Sequence, residues 1–402
     1  MRRGLFKHIP ESGAAVNLQP LFRELRCWDF TALLVMLLLL GAGVLFIYTT
    51  GSQVGTEWAG GFWRKQLIWI GIGMIAYIAA ARMDYRKLIP WVWFYYIVSI
   101  AMLVLVLFVG RKVNGAVSWI DLGPLRIQPS EFAKLGVIWF LAAMHGNMLF
   151  KIRKLTHVLL SMAVLALPIG LIAVEPDFGS AVVLVPVGAA MVFTAGVKWR
   201  YLIIAGSVAV VLFSVLAVNE IFEIKPLLKT YQRERIKTFL NPERDLAHRG
   251  YNAYQSRLAV GSGGLTGKGL GEGTQNLLGF LPQSVANNDF IFSVLAEETG
   301  FIGALLLLLG YAVLLYTILR TAFMAQDNFA RQSLVGIATL IFVHLYINIG
   351  MSVGITPITG LPLPFLSYGG SFVVSMMLAM GFVQSIYRRN MSLTEEDREY
   401  NC

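Results

Sequence analysis

The sequence predicts an all-α polytopic membrane protein, and three observations lead to this fold class. The chain of 402 residues is 56% hydrophobic and only 14% charged, a composition that soluble globular domains do not have. Its mean hydropathy is +0.66. Apolar runs of about 18 residues or more recur along the chain, as expected for helices that cross a bilayer.

Ten segments have the length and composition of membrane-spanning helices. In chain order they are residues 30–50, 66–82, 89–110, 131–148, 156–174, 178–196, 199–219, 289–319, 331–354 and 371–388. The chain therefore divides into a cytoplasmic N-terminal segment (1–29), a ten-helix membrane domain (30–389) and a cytoplasmic tail (390–402). A long polar loop, 220–288, separates the seventh predicted helix from the eighth.

The distribution of Lys and Arg predicts the orientation. Segment 1–29 carries five of them, whereas the short segments 175–177 and 355–370 carry none. Because Lys and Arg concentrate on the cytoplasmic side, both termini are predicted inside and loop 220–288 outside, on the extracytoplasmic face. Cytoplasmic flanks that meet anionic headgroups also explain the net charge of +10, so we expect no nucleic-acid partner.

Two charges interrupt the fourth predicted helix. Glu131 and Lys134 lie one turn apart and face the same side of it. One interpretation is structural, with Glu131 favoured by the helix dipole and neutralised by Lys134. The other is functional, because ionisable groups within a membrane helix usually line a site or a pathway. The spacing of Glu131 and Lys134 does not decide between the structural and the functional interpretation.

The eighth predicted helix opens on Asp289, which is either an N-cap or a functional carboxylate. Glu297 follows about 12 Å further along the axis, below the membrane interface, where it needs a partner that the sequence does not identify. In the ninth helix His344, Asn348 and Ser352 form a polar stripe, which favours a hydrogen-bonded packing seam.

The glycine run from 261 to 269 in the long loop superficially resembles a P-loop. Ser262 and Gly269 stand where that motif needs Gly and Ser or Thr, so a flexible loop or a phosphate-binding backbone nest is the better interpretation. Arg233 and Arg235 lie in the same loop. Guanidinium groups facing a membrane suit bidentate contact with a pyrophosphate.

Taken together, the motifs resemble the SEDS proteins, the shape, elongation, division and sporulation family. The resemblance runs in consistent order from the first span to about Arg389. It rests on these segments: Gly115-Ala-x-x-Trp119, Gln128-Pro-Ser-Glu-Phe-Ala-Lys134, Glu175-Pro-Asp-Phe-Gly179, Tyr231-Gln-Arg-x-Arg235, Gln255-Ser256, Gly261-Ser-Gly-Gly264, Asp289-Phe-Ile-Phe292 and Leu366-Ser-Tyr-Gly-Gly-Ser371. Residues 355–365 are more similar to the rod-shape elongation branch than to the division branch.

The resemblance implies a peptidoglycan glycosyltransferase of the bacterial cytoplasmic (inner) membrane that polymerises lipid II on the extracytoplasmic side during cell elongation. It maps the essential carboxylate onto Asp289, as general base or as ligand of an assisting Mg²⁺ or Mn²⁺. The substrate-binding candidates are Trp119, Glu131, Lys134, Arg233, Arg235, Gln255, Ser256 and Lys268. The implied partners are lipid II with its undecaprenyl-pyrophosphate-linked glycan, a class B penicillin-binding protein and other elongation-complex membrane proteins.

The sequence departs from the family before Asp289. The family usually reads Leu-Pro-Glu-x-His-Thr-Asp; here Gln283 replaces the Glu, Asn288 replaces the Thr, and two extra residues follow Pro282. Three functions stay open beside the elongation polymerase: the division-specific polymerase, a lipid II flippase and a non-catalytic scaffold. For the polymerase, Lys134→Ala is predicted to abolish activity and retain folding.

Overall fold

The computed structural model describes residues 27–52, 61–113, 116–123, 125–147, 155–221 and 249–400. These residues are mainly helical. The helices are α1 (Phe30–Ser52), α2 (Phe62–Arg82), α3 (Val92–Val109, after a 3-10 turn at Tyr85–Trp91), α4 (Pro129–Gly146), α5 (Leu155–Val174), α6 (Phe178–Thr194), α7 (Trp199–Ile221), α8 (Arg249–Ser262), α9 (Thr274–Leu277), α10 (Gln283–Ala286), α11 (Ile291–Met324), α12 (Asn328–Val353) and α13 (Gly370–Tyr400).

Between α3 and α4, where no span was predicted, the chain forms a small antiparallel sheet. Its strands are β1 (Arg111–Val113), β2 (Ala116–Leu122) and β3 (Leu125–Ile127), in that order across the sheet. The β2–β3 pair is held by backbone pairing of Ile120 with Ile127. Valine, isoleucine and tryptophan favour the pleated strand, and this segment is too short to span a membrane.

Each of the ten predicted spans overlaps a long helix of the described chain. In the part of the chain that the structure describes, six helical stretches are long and apolar enough to cross a membrane: Phe30–Gly51, Tyr85–Val109, Leu155–Val174, Ile291–Met324, Asn328–Val353 and Gly370–Ser392. This makes the chain a multi-pass membrane protein. Two points stay predictions. One is that α2, α4, α6 and α7 also cross the membrane, and the other is the orientation of the bundle in it. α13 continues as helix to Tyr400, through most of the predicted tail.

α4 is the helix enclosed by the others. It packs against α3, α5, α6, α12 and α13, and most of its side chains are buried, on all sides of the helix. A helix buried all round carries apolar residues on every face. This explains how Lys134 can lie within an apolar bundle, since it faces neighbouring helices rather than lipid.

α11 is interrupted at Gly300, whose φ of 67° and ψ of −160° are not helical. The glycine run 261–269 bridges this break with four backbone hydrogen bonds. On one side the amides of Lys268 and Gly269 donate to the carbonyls of Glu297 and Glu298, both at 3.0 Å. On the other side the amides of Phe301 and Ile302 in α11 are the donors. They donate to the carbonyls of Gly264, at 2.9 Å, and Leu265, at 3.1 Å.

These bonds replace the intrahelical ones that the break removes, and buried backbone groups need such partners. The amides of Lys268 and Gly269 are therefore committed to α11 rather than to an anion. The interpretation of this run as a flexible loop or a phosphate nest is wrong for these residues. Gly263 and Gly267 allow the run to approach the backbone of α11 closely, at Ala296 and Glu298.

Gly267→Ala is expected to lower the free energy of unfolding by about 1–3 kcal/mol, the usual cost of a strained backbone position. Gly267 has φ +81°, and a Cβ built there meets the carbonyl of Glu298. Gly261→Ala is the matched control, because no atom of the described residues lies within 4 Å of that Cβ and its φ is not positive. Thermal unfolding in detergent measures both variants, and equal losses would contradict the bridging role.

Candidate active site around Asp289

Asp289 lies between the short helix α10 and the start of α11. The carbonyl of Val285 accepts hydrogen bonds from the amides of Asn288, Asp289 and Phe290, at 3.3, 2.9 and 3.2 Å. The N-cap position of α11 is Phe290. The N-cap interpretation of Asp289 is therefore wrong. Its side chain is half-buried and is placed by the turn that precedes the helix.

The segment that departs from the family pattern is firmly held. The Gln283 side-chain amide donates to the carbonyl of Thr50, near the end of α1, at 2.7 Å. The Thr50 hydroxyl donates to the Asn287 side chain. On the other side, the Ser367 hydroxyl donates to the carbonyl of Asn288 at 2.5 Å. The two extra residues thus form part of one helical turn fixed between α1 and the 366–371 motif.

Asn348 of α12 connects Asp289 to the Pro-rich segment 355–365. Its side-chain amide donates to the carbonyls of Asp289, at 2.9 Å, and of Leu361, at 2.7 Å. A Cβ built on Gly360 would lie 3.5 Å from Asp289 Oδ2. As the sequence predicted, segment 355–365 is not helical, and Leu361, among others, is buried. Glycine at 360 leaves room beside the carboxylate.

Lys134 is fully buried, and its partners are polar. Its Nζ lies 2.9 Å from Glu131 and 3.1 Å from His344 Nε2. The other ring nitrogen of His344 lies 3.1 Å from the carbonyl of Pro362. Because lysine and the ring N–H are donors, this geometry assigns His344 the neutral tautomer with the proton on Nδ1. Glu131 is 2% exposed, so the ion pair is closed to solvent.

The polar stripe of α12 is a hydrogen-bonded seam, as predicted, and it connects the two parts of the site. His344 contacts Lys134, Asn348 contacts Asp289, and the Ser352 hydroxyl donates to the Asn348 carbonyl at 3.0 Å. Sequence reasoning assigned the stripe to packing and missed these contacts. The i, i+4 spacing was the available signal, but the contacted residues lie on other elements.

The Glu175-Pro-Asp177 motif joins the N-terminal end of α4 to α6. Asp177 caps α6 by accepting from the Ser180 amide at 3.2 Å, and its other oxygen accepts from the Gln128 side chain at 2.9 Å. Glu175 is fully buried, and neither carboxylate oxygen has a hydrogen-bond partner among the described residues. Burial, with a smaller contribution from Asp177, raises the pKa of Glu175 to about 8.

This pKa predicts a pH dependence of stability. A carboxyl whose pKa is raised by folding favours the folded state below its unfolded pKa and loses this contribution as pH rises through 8. Wild-type protein is therefore expected to lose stability between about pH 4.5 and 8 relative to Glu175→Gln, which does not titrate. Melting temperatures measured in parallel across this window should diverge by about a few degrees. If the melting temperatures of the two proteins instead change in parallel with pH, the raised pKa of Glu175 is contradicted.

Two further substrate-binding candidates lie on α8. Ser256 is fully buried; its hydroxyl donates to the carbonyl of Ser352 at 3.1 Å and lies 2.6 Å from the Ser293 hydroxyl. Gln255 is 9% exposed. Ser256 thus attaches α8 to α11 and α12 close to the site.

The remaining candidates are dispersed. Lys268 lies 2.6 Å from Glu297, which supplies the partner that sequence reasoning did not identify for that carboxylate. Trp119 is half-buried on β2. Arg233 and Arg235 lie outside the described residues.

Among the described residues, Asp289 is the candidate ligand for a metal at this site. In the part of the chain that the structure describes, no group of three or more His, Cys, Asp or Glu side chains is arranged to hold a metal ion. Asp289 alone offers a carboxylate at the turn. Phosphate oxygens are ordinary partners of Mg²⁺ in sites with one or two protein carboxylates.

Comparison with known proteins places the chain among cell-wall and cell-cycle proteins. The family model for FtsW, RodA and SpoVE, described as cell cycle protein, matches residues 30–392. Peptidoglycan glycosyltransferase MrdB of Escherichia coli K12 is 35% identical over 368 residues, 91% of this chain and 95% of MrdB. A probable peptidoglycan glycosyltransferase FtsW of Trichlorobacter lovleyi is 36% identical over 365 residues, 89% and 93% of the two chains.

Solved structures agree with these relatives. A chain of a peptidoglycan synthase complex that coordinates polymerization and crosslinking is 29% identical, with a TM-score of 0.76 over 90% of this chain and 98% of that one. Rod shape determining protein RodA of Thermus thermophilus is 26% identical, with a TM-score of 0.67 over 90% and 97%. This chain therefore belongs to the SEDS family, which comprises FtsW, RodA and SpoVE.

Proposed function

We propose that this protein is a peptidoglycan glycosyltransferase that polymerises lipid II, with Asp289 as its essential carboxylate. The observation that carries the proposal is the position of Asp289, half-buried at a turn that Asn348 and the segment beside Gly360 hold in place. Relatives that share about a third of their residues with this chain are named peptidoglycan glycosyltransferases.

The reaction requires attack by a sugar hydroxyl on an anomeric carbon and departure of undecaprenyl pyrophosphate. Asp289 accepts the hydroxyl proton, or it would hold a Mg²⁺ or Mn²⁺, which would supply positive charge to stabilise the departing pyrophosphate. Attack opposite the leaving group in a single displacement inverts the anomeric centre, by analogy with glycosidases. Arg233, Arg235 and Trp119 stay candidates for substrate contacts.

The topology belongs to the same proposal: ten spans, both termini inside and loop 220–288 outside, in the bacterial cytoplasmic membrane. The break at Gly300 supports this. Residues 301–324 alone are about 36 Å long, enough to cross the hydrocarbon core. The part of α11 from Ile291 to Thr299, with Glu297 and Glu298, then lies outside that core. With both termini inside, this part and Asp289 would be on the extracytoplasmic side.

The predicted partner is a class B penicillin-binding protein, alongside other elongation-complex membrane proteins. The similar chain in a synthase complex that coordinates polymerization with crosslinking supports a transpeptidase partner. Similarity to both MrdB and FtsW leaves the elongation and division roles to be separated by experiment. Depletion followed by microscopy distinguishes them, since an elongation enzyme gives round cells and a division enzyme gives filaments.

The flippase alternative finds less support in the site. A translocation path through Glu131 and Lys134 needs these groups to be accessible, and both are buried against each other and His344. The decisive test uses the purified chain with lipid II in detergent, with products resolved by glycan length on a gel. Long glycan strands support the polymerase; unchanged lipid II, with or without flipping in vesicles, would overturn it.

A further inference from the structure

The ion pair between Lys268 and Glu297 lies beside the break in α11. Lys268 Nζ lies 2.6 Å from Glu297 Oε1 and 3.1 Å from the Thr274 hydroxyl. The same carboxylate oxygen accepts from the Gln275 amide at 3.0 Å. Glu297 is 1% exposed, whereas the Lys268 side chain is 27% exposed.

The pair joins three segments at the break in α11. Lys268 belongs to the glycine run, Thr274 and Gln275 begin α9, and Glu297 lies on the first part of α11. Lys268 contacts Glu297 twice, since its backbone amide also donates to the Glu297 carbonyl at 3.0 Å. The glycine run is thus fixed to this part of α11 by main chain and side chains together.

Asp289 lies two residues before the same part of α11, with the N-cap Phe290 between them. From Ile291 to Thr299 this part is only about 13 Å long, and Gly300 at its end is a natural hinge. A rotation at Gly300 would move Asp289 relative to the segment beside Gly360. Such a rotation is opposed by the burial of residues 291–298 and by the contact between Ser256 and Ser293. At the hinge itself, the bridge bonds and the Lys268–Glu297 pair also oppose it.

We propose that Lys268 and Glu297 are a positioning pair for Asp289, and that Lys268 acts through Glu297 rather than on the pyrophosphate of the substrate. This inference rests on the proposed function. It reassigns Lys268 from a substrate contact to a residue that sets the geometry of the reaction. Displacement of a reacting group by about 1 Å costs up to about 100-fold in rate, so the expected effect is large.

The experiment is a double-mutant cycle in the purified full chain. Initial rates of lipid II polymerisation are measured for Lys268→Met, Glu297→Gln, the double variant and Lys268→Arg, with the exposed Lys198→Met as control. Each single variant of the pair is expected to lower kcat by about 10- to 100-fold with KM for lipid II unchanged. The double variant should polymerise at least as fast as the less active of the two single variants. Lys268→Arg should retain most of the wild-type activity.

A direct pyrophosphate contact predicts a different pattern, which would overturn the inference. KM would rise in Lys268→Met, Glu297→Gln would have little effect, and the two effects would multiply in the double variant. Failure of the proposed function itself is distinct, because wild-type protein would then make no polymer.

A second measurement does not depend on activity. Hydrogen–deuterium exchange of residues 289–299 should be faster in Lys268→Met than in wild type, while exchange in α12 stays the same. Unchanged exchange at 289–299 would contradict a positioning role, whatever the rates.

Discussion

Asp289→Asn is expected to abolish glycan chain growth while the protein folds normally. Loss of a general base or of a charge-stabilising carboxylate costs at least about 100-fold in rate. Asn has nearly the shape of Asp, and the contact from Asn348 goes to the backbone carbonyl, which the substitution leaves in place. Polymerisation of purified lipid II, followed on a gel, measures the activity, and thermal unfolding measures the fold.

The matched control is Asp84→Asn. Asp84 caps the 3-10 turn before α3 by accepting from the Arg86 amide, and Asn serves as a cap nearly as well as Asp. This variant should polymerise at the wild-type rate. Long polymer from Asp289→Asn at a comparable rate would show that the carboxylate is not essential and would remove Asp289 from the mechanism.

The helices were predictable because the membrane restricts the backbone structures that a chain can adopt. Backbone groups in hydrocarbon must bond within their own segment, so a long apolar run becomes a helix. The break at Gly300 was not predictable in the same way. Glycine occurs at ordinary positions in membrane helices, and the partners of the broken turn come from residues 264–269, about thirty positions earlier.

The residues of the candidate site were predictable from the sequence, but their arrangement in space was not. Asp289, Glu131 and Lys134 stand out as charges at the ends of apolar runs. The contact between Lys134 and His344 joins positions 210 residues apart, and no periodicity reports it. Asp289 was compatible with an N-cap because Asp is a favoured cap. Backbone geometry decides that question, and it places the cap at Phe290.

The structure changes the expected result for Lys134→Ala. The sequence predicted lost activity with retained folding, but Lys134 is fully buried against Glu131, which is itself 2% exposed. Removing one partner of a buried pair leaves an uncompensated charge and costs about 3–5 kcal/mol. We therefore expect Lys134→Ala to unfold at a clearly lower temperature than wild type, and low activity in this variant alone does not assign a catalytic role.

The double variant Glu131→Gln, Lys134→Met separates stability from function. It removes both charges and keeps similar volumes, and such replacements of buried pairs are often neutral or stabilising. Its melting temperature should return to near the wild-type value. If the pair helps to hold the substrate or the His344–Asn348 seam beside Asp289, polymerisation stays low in this stable protein. Full recovery of polymerisation together with stability would show that the pair is structural, because a folded enzyme without either charge would then work as well as wild type.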